Sequence, residues 1–185
     1  MTRRRLLLIT AAALCSIGGL THMSGALAQE GGATAQSGDP HAEAINWKKL
    51  TPSQWRKRLT ANQFYILRQA GTEPAFQNAY HKNHEKGSYY CAGCNNLLFT
   101  SEAKFDSGTG WPSYWKPADA RKSVIRHTDP DGQRVEVLCA QCNGHLGHLF
   151  DDATGDYGIP KTPTGLRYCM NSGAMKFVKA TPKAQ

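Results

Sequence analysis

Cys139-Ala140-Gln141-Cys142-Asn143-Gly144-His145-Leu146-Gly147-His148-Leu149-Phe150 is the stretch that decides how this chain folds. It has an earlier counterpart in Cys91-Ala92-Gly93-Cys94, which leads to Leu98-Phe99 much as the later pair leads to Leu149-Phe150. A Cys-x-x-Cys turn brings two thiolates to one side of a knuckle, and two knuckles supply the four-thiolate tetrahedron that zinc prefers. The spacing predicts one structural Zn2+ per chain, held by Cys91, Cys94, Cys139 and Cys142 and tying together segments distant in sequence. A closed four-thiolate shell leaves no open position, so this metal is not expected to be catalytic. Two alternatives stand beside it: a pair of disulfides in an exported protein, or one redox-active Cys-x-x-Cys. No strand–helix–strand pattern surrounds either pair, and redox chemistry at one would leave the other unexplained.

Around the knuckles the texture is that of short strands. Gly87–Tyr90, Ser123–Arg126, Arg134–Leu138, Arg167–Asn171 and Met175–Val178 read as strands separated by Gly, Asn, Asp and Pro. Asp129-Pro130-Asp131-Gly132 is a strong turn signal between two of them. Upstream, Thr51-Pro52-Ser53-Gln54 combines a capping-box spacing with Pro at a first helical position, predicting a short helix to about Leu59. Thr60 can cap a second helix containing Phe64, Ile66 and Leu67, with Gly71 placed to end it. The expected body is antiparallel β with helices at its N-terminus.

Further out, Met1 to Ala28 reads as a signal peptide: a cationic start, an apolar stretch from Leu6 to Leu20, and Ala26-Leu27-Ala28 before a cut at Gln29. The apolar run is shorter than the roughly 20 residues that a membrane-spanning helix needs, so no stable membrane anchor is expected after cleavage. Thr2-Arg3-Arg4-Arg5-Leu6-Leu7 also resembles a twin-arginine export signal, suited to a domain metallated before it meets an oxidising compartment. The expected destination is the bacterial periplasm. Residues 29–45, rich in Gly, Ala, Ser and Gln, read as a disordered linker, and 46–180 as one folded domain. The formal charge of +8 falls to +5 once Arg3, Arg4 and Arg5 are removed. That charge is spread along the chain without a basic block carrying aromatics, so no nucleic-acid partner is expected.

With Cys15 lost in the leader and four cysteines assigned to zinc, Cys169 stands alone. A free Cys is often simply buried and inert. On a strand, however, Arg167, Cys169 and Asn171 share one face, with Tyr168 and Met170 on the other. A guanidinium beside a thiol favours the nucleophilic thiolate, and Asn171 has a hydrogen-bond donor to offer a bound group. His145 and His148 follow the second knuckle directly. They are candidates either for metal ligation or for acid–base work near Cys169.

At this point a family resemblance enters. Gly71-Thr72-Glu73-Pro74, Lys104-Phe105-Asp106-Ser107-Gly108, Gly110-Trp111-Pro112-Ser113, His145-Leu146-Gly147-His148 and Gly165-Leu166-Arg167-Tyr168-Cys169-Met170-Asn171-Ser172 resemble the B-type methionine sulfoxide reductases, in the family's order and over about Trp47 to Val178. The resemblance implies a mainly β fold of two antiparallel sheets with short N-terminal helices. It implies reduction of the R epimer of methionine sulfoxide, preferentially in oxidised proteins, by attack of Cys169 on the sulfoxide sulfur. By the same resemblance His145, His148, Asn171 and Arg167 polarise the site and Trp111 packs against the substrate methyl, although core packing is the ordinary fate of a Trp. Many members carry a resolving cysteine where this chain has Thr109. Here the expected partner for recycling is an external thioredoxin-like or small-thiol reductant. Asp151 to Thr164 is also longer than is usual in the family. The readings from other classes are a non-catalytic zinc-ribbon-like binding module and a Cys-x-x-Cys thiol–disulfide oxidoreductase.

Overall fold

The computed structural model describes residues 44–129 and 132–181. The leader at 1–28, nearly all of the linker at 29–45, and Pro130 and Asp131 of the expected turn lie outside the described residues. What remains of that turn closes as expected, with Gly132 N–H donating to the Asp129 carbonyl at 2.8 Å.

Two helices open the domain, each started by a reciprocal capping box. Thr51 accepts from the Gln54 backbone while Gln54 accepts from the Thr51 backbone, and Thr60 and Gln63 repeat the exchange. Helix α1 spans Pro52–Arg56 and α2 spans Ala61–Gln69. The first stops short of the expected Leu59, which is nonetheless buried. The second is ended by Ala70 rather than Gly71: Ala70 takes the left-handed conformation at φ 53°. Phe64, Ile66 and Leu67 turn the apolar side of α2 inward. Arg68 reaches out to donate to the carbonyls of Cys142 and Asn143 at 2.9 and 3.0 Å, clamping the second knuckle.

Nine strands follow among the described residues: β1 (Gly87–Cys91), β2 (Leu97–Thr100), β3 (Lys104–Phe105), β4 (Ser113–Tyr114), β5 (Val124–Thr128), β6 (Val135–Cys139), β7 (His145–Phe150), β8 (Arg167–Met170) and β9 (Met175–Lys179). They form two antiparallel sheets, ordered β2-β1-β9 and β3-β4-β8-β7-β6-β5. The fold is therefore mainly β with two antiparallel sheets and short N-terminal helices, as expected. The five anticipated strands are present within two residues of their expected ends. Strands β2, β3, β4 and β7 were not anticipated. Two-residue β3 and β4 are too short to show period-two alternation, and β7 carries Gly147 in its middle, where glycine ordinarily weakens a strand.

Rings from both sheets meet between them. Phe99 of β2 stacks on Tyr114 of β4 at 4.3 Å, and Tyr89 of β1 meets Tyr114 edge-on at 5.2 Å. Tyr168 of β8 joins Phe99 at 5.8 Å, and all four residues are fully buried. Tyr168, on the inward face of β8, thus anchors the strand whose outward face carries Cys169.

Candidate active site

The two knuckles are built alike. Asn95 donates back to the Cys91 carbonyl at 3.0 Å, and Asn143 to the Cys139 carbonyl at 2.9 Å. Both asparagines take the left-handed turn conformation, at φ 63° and 55°, which Asn tolerates better than most residues. The result sets four buried sulfurs within 4.8 Å of one another. Cys91 and Cys142 are 3.7 Å apart, and Cys94 and Cys139 are 3.5 Å apart. A tetrahedron with metal–sulfur bonds of about 2.3 Å has edges of about 3.8 Å, whereas a disulfide needs about 2.05 Å. All four cysteines are free. The donor set therefore fits a closed, structural, thiophilic metal site and not a pair of disulfides. Neither His145 nor His148 belongs to it.

Cys169 lies elsewhere, in the middle of the larger sheet. It pairs with His148 of β7 on one side and Ser113 of β4 on the other. Directly paired residues share a face, so the three side chains project together. Cys169 and His148 line a pocket of about 220 Å³ together with Trp111, Phe150, Thr72, Arg134 and Asn171, while Ser113 stays fully buried beneath. The close approach of β7 and β8 depends on Gly147: a Cβ there would stand 2.1 Å from the Cys169 carbonyl oxygen. Trp111 is fixed by its indole N–H, which donates to the Glu73 carbonyl at 2.9 Å.

The structure brings Cys169, His148, Trp111 and Asn171 to one pocket; Arg167 and His145 are not part of its lining, His145 packing instead against His148. Asn171 is spoken for by the backbone: its Oδ1 accepts from Glu73 N–H at 3.0 Å, and its Nδ2 faces the Leu146 and Gly71 carbonyls. It therefore braces the strand end, and the expected free donor is already engaged. Arg167 makes a two-pronged ion pair with Asp152, at 2.9 and 2.6 Å, and stacks 4.3 Å over Phe150. Arg167 pulls the Cys169 thiol downward, as its place on the same strand face suggested, but it is not the dominant influence. Burial pushes the Cys169 thiol above its ordinary value, and the opposing pull of Arg167 and of the Thr109 hydroxyl does not overcome it.

His145 is buried, with Nδ1 at 2.6 Å from Glu136. His148 packs 5.4 Å from it, ring to ring, and faces Asp129 at 3.6 Å. Burial, with His145 and Arg134 nearby, holds His148 below the usual histidine value. Sequence reasoning did not single out Glu73, Asp152, Glu136 or Asp129. Each supports a candidate residue from a different segment; Glu73 and Asp129 lay inside stretches already noted, but nothing there pointed to these contacts.

A cysteine lining an open pocket, kept apart from a buried sulfur quartet, is an arrangement suited to a thiol enzyme, which needs a reachable nucleophilic sulfur. Comparison with known proteins places that class more closely. Residues 59–179 match the model of the SelR domain. A peptide methionine sulfoxide reductase MsrB of Leptospira interrogans is 48% identical over 126 residues, covering 68% of this chain and 91% of the relative. One of the same name from Bradyrhizobium diazoefficiens is 49% identical, over 67% of this chain and 85% of its own. The chloroplastic peptide methionine sulfoxide reductase B1 of Oryza sativa is 50% identical, over 70% and 58%. The chain belongs to the B-type methionine sulfoxide reductases.

Proposed function

We propose that this chain is a peptide-methionine (R)-S-oxide reductase that acts through Cys169. The observation that carries the reading is that Cys169 is the one cysteine among the described residues that lines an open pocket, with an aromatic wall opposite a histidine. Sulfoxide oxygen is a poor leaving group until protonated, so attack by a thiolate needs an acid close by. His148, one ladder position across from Cys169, is placed to supply it. Trp111 and Phe150 would hold the methyl while the polar side of the pocket receives the oxygen. The thiolate attacks the sulfoxide sulfur, and the oxygen passes to Cys169. Methionine leaves, and Cys169 remains as a sulfenic acid.

Recycling then needs two thiols, which become a disulfide as the sulfenic oxygen departs as water. The four remaining described cysteines sit in the buried quartet, and Thr109 is the residue beside Cys169. This supports an external thioredoxin-like or small-thiol reductant. It also supports Zn2+ in the quartet, where Cys91, Cys94, Cys139 and Cys142 would hold it and it would cross-link the sheets without entering the reaction. The substrates read from the family are oxidised proteins carrying methionine-R-sulfoxide.

The test is a diastereomer-resolved reduction assay with dithiothreitol. Wild type is expected to consume only the R epimer, and Cys169→Ser to lose activity by at least three orders of magnitude. An untouched R epimer, or an active serine variant, sinks the proposal. Mass spectrometry after one turnover without reductant is expected to find the sulfenic acid, and a stable intramolecular Cys169 disulfide would overturn the recycling scheme. Export to the periplasm belongs to the same proposal and rests on residues 1–28 alone. A mature N-terminus at Gln29 in the periplasmic fraction supports it, and a retained Met1 in the cytoplasm overturns it.

A further inference from the structure

Three hydroxyls run back from Cys169 into the protein. Thr109 Oγ1 lies 3.9 Å from Cys169 Sγ, within reach for a sulfur hydrogen bond. Thr109 Oγ1 is in turn 2.8 Å from Ser107 Oγ, and Ser107 Oγ is 2.8 Å from Ser113 Oγ. Ser113 Oγ ends the line 3.3 Å from the Trp111 carbonyl oxygen. Ser107 and Ser113 are 3% and 0% exposed, so bulk water does not compete for them. Ser113 is also the ladder partner of Cys169 on β4, the side away from His148.

Counting protons and lone pairs shows why this line matters. Each hydroxyl has one proton to donate and two lone pairs to accept with. When Cys169 is a thiol, its S–H donates to Thr109, Thr109 to Ser107, Ser107 to Ser113, and Ser113 to the Trp111 carbonyl. When Cys169 is a thiolate, the line can turn round, with Ser113 donating to Ser107, Ser107 to Thr109, and Thr109 to the sulfur. Thr109 N–H, 3.4 Å from Ser107 Oγ, finds a free lone pair in both arrangements. Every donor keeps an acceptor either way, so once the thiol proton has left the sulfur three bond rotations reverse the line, and only the Trp111 carbonyl gives up its Ser113 donor.

We propose that Thr109, Ser107 and Ser113 form a reversible hydroxyl chain that accepts a hydrogen bond from the Cys169 thiol and donates one to its thiolate. The proposal deepens the reading of Cys169 as the nucleophile and rests on it. Thr109 touches the reacting sulfur, while Ser107 and Ser113 are positioning residues that orient its proton. The charged and titratable groups facing Cys169 are Arg167 on its own strand with Asp152 behind it, His148 across the ladder with His145 beyond, and Arg134 at the pocket margin. Among these the hydroxyl chain is the uncharged contribution; it serves both forms of the sulfur and favours the thiolate on balance, because a hydrogen bond to an anion is the stronger of the two. Thr109 is thereby more than the absence of a second cysteine.

The test reads the ionisation of Cys169 directly in the full, metal-loaded protein. The rate of iodoacetamide alkylation at Cys169 is followed against pH by peptide mass spectrometry. Thr109→Val keeps the size and removes the hydroxyl, and is expected to raise the alkylation midpoint by about one pH unit. Thr109→Ser is expected to restore the wild-type midpoint. Ser107→Ala, which leaves Thr109 in place, should move it the same way by less. An unchanged midpoint in the valine and alanine variants overturns the proposal, and so does a serine variant that shifts as far as the valine. Should Thr109→Val fail to fold, the Ser107→Ala midpoint decides alone. Because alkylation consumes no sulfoxide, its outcome is separate from that of the reductase assay.

Discussion

At Cys169 two effects oppose each other, and burial is the stronger. The sulfur shares a strand face with Arg167, yet that guanidinium is already engaged by Asp152 and the sulfur is largely cut off from water. A thiol whose value is raised stays protonated at neutral pH and ionises as pH rises, so the alkylation midpoint of wild-type Cys169 is expected above the ordinary thiol value of about 8.5. His148 is displaced the other way: burial favours its neutral form, and it gains a proton only below the ordinary histidine value. If the reaction needs His148 protonated and Cys169 ionised, the competent form is a constant minor fraction between the two midpoints. The pH profile of kcat/KM is therefore expected to be a broad plateau, falling on the acid side below about 6.5 and on the alkaline side above about 8.5. A narrow bell centred near neutrality would exclude this pair of roles.

On the scale of elements, the site is held by backbone packing as much as by side-chain chemistry. Strands β7 and β8 approach so closely that Gly147 has no room for a methyl group, the nearest obstacle being the backbone of Cys169 itself. Gly147→Ala is expected to shift β8 and to lower kcat/KM by at least tenfold, with the four-thiolate site intact by metal analysis. Wild-type kinetics in that variant would show that β8 tolerates displacement. The short turn after Cys169 depends on Glu73 in the same way. Its carboxylate accepts from the backbone N–H groups of Ser172 and Gly173, while its own N–H and carbonyl hold Asn171 and Trp111. Glu73→Ala leaves two buried donors without acceptors, and a loss of about 1–3 kcal/mol is expected in denaturant unfolding. Elements with a local cause were legible in the sequence. Both helix starts follow from capping boxes, and five of the strands follow from short runs between turn residues. The end of α2 was not legible, because Ala70 takes a conformation that sequence preference assigns to Gly71.

For the molecule as a whole, the sulfur quartet sits where the two sheets meet, so a metal held there would cross-link them. Cys91 ends β1 of the smaller sheet and Cys139 ends β6 of the larger, so the four sulfurs join what the aromatic core also joins. Metal removal with a strong chelator under reducing conditions is expected to lower the thermal midpoint sharply and to abolish activity together with folding, since binding energy at such a site is folding energy. Metal analysis should return one zinc per chain. A protein that keeps its melting temperature after complete metal removal would show that the core suffices without it.

The sequence by itself determined the knuckles, the position of Cys169 outside them, and the family, because these reside in residue identity and short spacing. The two-sheet architecture entered through the resemblance, since nothing in local periodicity says which strands pair. Tertiary structure alone decided the rest. It engaged Asn171 with backbone groups and Arg167 with Asp152, set His148 and Ser113 on either side of Cys169, and ran three hydroxyls to its sulfur. Ionisation, hydrogen-bond satisfaction and close approach depend on what surrounds a group in space, and those neighbours come from segments that spacing along the chain does not connect.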